Sequence, residues 1–161
     1  MTDANLCELI KRSAFAENLT LDQCGVLADL ATTRALKDGE ILIEEGRVDD
    51  SLHVIASGRL AVERNAGAGA PVVLHILRDG DLAGELGFVD GTEHTATLRA
   101  VGPTLVLSIT RPDLESLLRA QPEIVYGVMR GIVRTVHRIL RQMNLQCVEL
   151  NNYISKTHGR Y

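Results

Sequence analysis

Few side chains in this sequence are placed by spacing alone to do chemistry. Cys7, Cys24 and Cys147 are three in number, widely separated and without a CxxC pair. They read as free thiols in a reducing compartment, packed as small hydrophobes and not as redox or iron–sulfur ligands. No Ser/His/Asp set, metal motif or Walker-type loop stands out, so the chain does not read as an enzyme. The adjacent acids Asp49 and Asp50 lie in a turn-like stretch, where solvation is the default. Arg130, Arg134, Arg138 and Arg141 follow at helical spacing and form one outward basic stripe. Such a stripe can meet an anion or a nucleic acid, but its ordinary fate is a solvated face. The segment Asp79-Gly80-Asp81-Leu82-Ala83-Gly84-Glu85-Leu86-Gly87-Phe88 carries the most information, with glycines set close to acids.

The elements that must position these residues follow from composition and period. The chain has 161 residues, 45% of them hydrophobic and only 3% aromatic, with no Trp. That predicts one domain, or one with an appendage, around an aliphatic core. The net charge is −4. Residues 1–120 hold 11 basic and 19 acidic side chains and residues 121–161 hold 6 and 2, so only the C-terminal segment is basic. This argues against a general nucleic-acid binder. No apolar run approaches the roughly 20 residues of a membrane helix, and the N-terminus has no signal-peptide pattern. The expected location is the cytoplasm.

Residues 1–33 read as helices: Leu6, Leu9 and Ile10 recur at helical spacing, and Thr20 with Gln23 makes a capping box. From 34 to 110 short apolar runs alternate with glycine, as at Ile41–Ile43, Leu52–Ile55, Leu60–Val62, Val72–Leu77, Thr95–Val101 and Thr104–Ile109. Closely spaced, glycine-punctuated strands predict a sandwich, jelly roll or closed barrel. The small residues Ala66–Pro71 make a hairpin tip. Residues 111–155 read as helices again, the long one running 122–155, with a tail at 156–161.

The long helix carries two apolar stripes. With Met129, Val136, Met143 and Leu150 at heptad position a, Val125, Ile132, Ile139, Gln146 and Tyr153 fall at d. A second stripe, Val133, Leu140, Cys147 and Ile154, falls at e. A helix apolar on a, d and e can pack on two bodies. The expectation is a parallel homodimer through the a/d seam and the chain's own barrel on the other side.

The ordered series Lys37-x-Gly39-Glu40-x-Leu42-Ile43-x-x-Gly46, Leu52-His53-Val54-Ile55-x-x-Gly58, Gly80-Asp81-x-x-Gly84-Glu85-Leu86 and Ala96-Thr97-Leu98-Arg99-Ala100 resembles the cyclic-nucleotide-binding domain family over roughly residues 15–145. The resemblance implies a mainly β fold with flanking helices, a jelly-roll β-barrel followed by a long C-terminal dimerisation helix. Within it, residues 80–100 resemble the phosphate-binding cassette. Gly84, Glu85 and Leu86 would open a short helix whose first N–H groups face a phosphate, and Glu85 would accept from a ribose 2′-hydroxyl. Before the small pair Thr95-Ala96 the family places an Arg; here His94 stands, which has an ordinary pKa of about 6.5 and lacks the bidentate, permanent charge of Arg. Thr95 can donate its hydroxyl, whereas Arg99 lies roughly 16 Å further along an extended strand. His75 and Leu77 share the strand face that would line the pocket. Two arrangements of His75, Glu85 and His94 are then open: convergence as an altered anion or metal site, or scattered polar residues around an empty pocket. On the long helix Ile139 and Leu140 replace a Thr-Ser pair that reaches the purine edge; they can stack on a base but not read it.

The expected function is therefore a stand-alone sensor module. It binds a small anionic ligand, cyclic AMP or cyclic GMP, and signals to a downstream protein. The alternative is a degenerate, ligand-free dimerising module. The tail after residue 155 is too short for a helix-turn-helix domain, so no sequence-specific DNA binding is expected.

Overall fold

The computed structural model describes residues 3–158 apart from 66 and 68. Ala66 and Ala68 of the expected hairpin tip, and Gly159–Tyr161 of the expected tail, lie outside the described residues. Two short helices, α1 (Asp3–Arg12) and α2 (Leu21–Leu30), come first. Thr20 caps α2: its hydroxyl accepts from the Gln23 N–H, and the Gln23 side chain accepts from the Thr20 N–H. That reciprocal pair satisfies two otherwise orphaned donors, worth about 1 kcal/mol.

Eight strands follow: β1 (Thr32–Leu36), β2 (Ile41–Ile43), β3 (Ser51–Ser57), β4 (Leu60–Arg64), β5 (Val72–Leu77), β6 (Leu82–Ala83), β7 (Thr97–Ala100) and β8 (Thr104–Thr110). They form two four-stranded sheets, ordered β1-β8-β3-β6 and β2-β7-β4-β5, with every pairing antiparallel. The architecture is a jelly roll, and the ladder does not close into a continuous barrel. A one-turn helix, α3 (Glu85–Asp90), interrupts the chain between β6 and β7. The chain ends in α4 (Arg111–Ser116) and α5 (Pro122–His158). Thr110 caps α4 by accepting from the Asp113 N–H.

The inner faces of the sheets enclose one aliphatic core, with Ile43, Ile55, Leu60, Leu98 and Val106 fully or nearly buried. A second core lies where the helices cover the first sheet, with Ile10, Phe15, Leu27, Phe88, Leu107, Ile124 and Val128. The start of α5 closes this second core. A Cβ on Gly131 would meet the Phe15 backbone at 2.4 Å and one on Gly127 would meet the Leu19 side chain at 2.4 Å. The two glycines let α5 lie directly on the Phe15–Leu19 segment.

That contact corrects the expected assignment of the α5 stripes. Ile132, placed in the dimer seam, is 2% exposed inside its own chain's core, beside Ile124, Val128 and Thr135. Val133, placed against the barrel, is 64% exposed. The close approach at Gly127 and Gly131 turns the face of Ile124, Val128, Ile132 and Thr135 inward, which leaves Val133 open. Val125, Met129 and Val136 are half-buried at the margin of the core. From residue 137 to 155 every side chain is exposed, so α5 projects about 28 Å past the body of its own chain. Ile139, Gln146 and Tyr153 lie on this projecting part with Leu140, Met143, Cys147 and Leu150.

Candidate functional site

The site is assembled where β6 turns into α3. Gly84 takes a positive φ of 79°, and a Cβ there would approach the Ser51 carbonyl at 2.9 Å. Only glycine meets both demands without strain, so the cassette helix can start against β3. Glu85 is the first helical residue and is half-buried. Burial raises its carboxyl above the ordinary range, while its own N–H and the charge of His94 pull in the other direction. Leu86 points outward, 54% exposed.

His94 returns to this helix from the following loop. Backbone bonds fix it there: its N–H donates to the Arg47 carbonyl at 2.8 Å and its carbonyl accepts from the Gly46 N–H at 2.8 Å. The ring packs against α3 by its Cε1 corner, where a Cβ on Gly87 would be 2.7 Å from Cε1. The side chain is only 8% exposed. Nε2 lies 3.3 Å from Asp49 Oδ1, and no hydrogen bond satisfies it. His53 reaches the same carboxylate from β3, with Nε2 4.0 Å from Asp49 Oδ2, a charge contact too long for a hydrogen bond. Ser108 Oγ holds the other ring nitrogen of His53 at 2.7 Å. Asp49 therefore titrates well below the usual carboxylate range. His53 contributes most to this, the Ser51 N–H (3.0 Å) adds to it, and His94 adds its charge.

The expectation that Asp49 is merely solvated is overturned: it is half-buried and bridges two buried imidazoles. Sequence reading missed Asp49 and His53. No local period marked them; it is the antiparallel β3–β6 pairing in the fold that sets His53 opposite Ala83 at the mouth of the cassette. It also missed Arg111, whose Nε and Nη2 donate to the carbonyls of Phe88 (2.7 Å) and Gly87 (3.0 Å). This guanidinium caps the C-terminal end of α3 and ties it to the start of α4.

The remaining candidates are not gathered here. His75 falls opposite Val62 and shares a face with Leu77, as expected, but stays exposed on the edge strand β5, while Leu77 is half-buried. Among the described residues no group of three or more His, Cys, Asp and Glu is arranged to hold a metal ion, so His75, Glu85 and His94 do not form a metal site there. Thr95 is exposed and Ala96 half-buried. Arg99 is committed to Glu63 (3.0 Å) and the Gly39 carbonyl (2.9 Å). Ile139 and Leu140, 39% and 51% exposed, stand open on α5 instead of packing on a pocket. The arrangement thus places a half-buried carboxylate, Glu85, at the first residue of α3 and a nearly buried imidazole, His94, against the same helix.

Comparison with known proteins agrees with this geometry. The model of the cyclic nucleotide-binding domain matches residues 33–121, more than half of the chain. The human patatin-like phospholipase domain-containing protein 6 is 27% identical over 134 residues, which cover 83% of this chain but 10% of that protein. The cyclic AMP receptor protein of Thermus thermophilus is 24% identical over 140 residues, 87% of this chain and 65% of that one. A solved cyclic nucleotide-binding domain from Methylobacillus flagellatus superposes with a TM-score of 0.80 at 18% identity, covering 91% of this chain and 83% of that chain. The chain spans only part of the first two relatives, so what they share with it is the domain. The matched residues include both sheets and the α3 cassette, and the chain belongs to the cyclic nucleotide-binding domain family.

Proposed function

We propose that this chain is a regulatory sensor module that binds a small anionic ligand of the cyclic nucleotide class, cyclic AMP or cyclic GMP, at the α3 cassette. The observation that carries this reading is the juxtaposition of Glu85 at the start of α3 with the His94 ring packed on Gly87 of the same helix. In this reading Glu85 takes the ribose hydroxyl, the first N–H groups of α3 and the Thr95 hydroxyl take phosphate oxygens, and protonated His94 supplies the positive charge. A regulatory role in the cytoplasm suits a family of sensor domains and three free cysteines. No helix among the described residues is long and apolar enough to cross a membrane.

The output element is α5. Met129, Val133, Val136, Leu140, Met143, Cys147 and Leu150 recur at alternating steps of four and three, an unbroken heptad seam with no polar member. We place a second copy of the chain on it, in parallel. Ligand at the cassette is then reported through Arg111 and α4 to the dimer and on to a downstream protein. One observation favours a second reading, a ligand-free dimerising module: Asp49 already meets His94, the imidazole packed on the cassette helix.

Replacement of His94 by Arg separates the two readings. At pH 8 an imidazole is neutral and a guanidinium is not. His94→Arg is expected to strengthen cyclic AMP binding at pH 8 by tenfold or more, read by titration calorimetry. Absence of binding by both proteins at millimolar nucleotide favours the ligand-free module.

A further inference from the structure

We propose that Asp49 is a built-in competitor for the ligand's anionic group: its carboxylate occupies His94, and a bound phosphate must displace it. This rests on the reading of the cassette as an anion site and adds the residue that sets how strongly an anion is held there.

The geometry is specific. Asp49 Oδ1 lies 3.3 Å from His94 Nε2, the ring edge left without a hydrogen bond. The ring fills the space beside Gly87 where a side chain would otherwise stand, since a Cβ there would lie 2.7 Å from Cε1. Asp49 itself is fixed from below by the Ser51 N–H and flanked by His53. The charged groups around His94 are Asp49 from the loop before β3, His53 from β3 and Glu85 from α3, with Arg111 reaching the far end of α3 from α4. Two carboxylates thus face one imidazole. An incoming phosphate meets the like charge of Asp49 beside His94, so the pocket is tuned toward weak anion binding. A neutral ligand of the same shape feels no such competition.

The test compares wild type with Asp49→Asn at pH 5.5. That pH is a unit below the ordinary imidazole value of about 6.5 and is held the same for both proteins. Asp49, held well below the usual range, is still ionised there. Asparagine retains an acceptor for the Ser51 N–H, and matching circular dichroism and melting curves establish that the variant folds. Cyclic AMP and adenosine are titrated separately by calorimetry. Asp49→Asn is expected to strengthen cyclic AMP binding about tenfold, the order set by removing one like charge at contact distance, and to leave adenosine unchanged. Asp50→Asn, which alters the neighbouring acid, is expected to change neither. Equal or weaker cyclic AMP binding by Asp49→Asn overturns the competitor role while leaving the anion reading intact. An equal gain for adenosine overturns it too, because that is a change of shape and not of charge. If neither protein binds either compound at millimolar concentration, the anion reading fails and the competitor role fails with it.

Discussion

At the scale of single residues, Glu85 shows a conflict between folding and binding. Burial raises its carboxyl in the folded chain, so the folded state holds that proton more tightly than the unfolded one. Below the unfolded value of about 4.3 both states are protonated and no penalty exists. As pH rises past the folded value, ionising Glu85 costs stability. Glu85→Gln is therefore expected to melt at higher temperature than wild type at pH 7, with the gain gone by pH 4, as followed by circular dichroism. A wild type that melts higher at pH 7 contradicts the penalty. Glu85 and His94 were both legible in the sequence, because the glycine pattern and the Thr-Ala pair after His94 set them in a recognisable frame. Asp49 and His53 were not. Their meeting with His94 depends on a loop 45 residues away folding back beside the turn before β3, and no local period records such a contact.

At the scale of elements, the jelly roll was legible from its glycine punctuation and the long helix from its unbroken apolar period. The rotation of that helix was not. Both stripes of α5 are apolar, so pattern alone leaves open which one meets the body. The choice is made by Gly127 and Gly131, whose missing side chains let Phe15 and Leu19 approach and bring Ile132 inward. The two stripes now predict opposite phenotypes. Ile132→Asp buries an unpaired carboxylate in the core and is expected to cost about 3 kcal/mol or more of stability. Leu140→Asp, on the exposed seam, is expected to leave the fold intact and convert dimer to monomer in sedimentation at tens of micromolar. A Leu140→Asp protein that remains dimeric, or a wild type already monomeric there, contradicts the seam.

At the scale of the whole molecule, charge and shape divide the labour. The acidic body carries the cassette, and the exposed apolar stripe of α5 is the surface proposed above for a second copy. Arg111 holds the end of α3 to the start of α4. The basic stripe on α5 remains largely a solvated face: Arg134 pairs with Glu17 at 3.0 Å, and Arg138 and Arg141 line shallow, open surface beside it. The account therefore stands on the cassette, and titration of the unmodified protein with cyclic AMP and cyclic GMP at pH 6 and pH 8 tests it most directly. Because the proposed phosphate partner, His94, is an imidazole, binding is expected to be measurable at pH 6 and at least several-fold weaker at pH 8. Affinity that is unchanged or stronger at pH 8, or no heat with either nucleotide at millimolar concentration and pH 6, contradicts it.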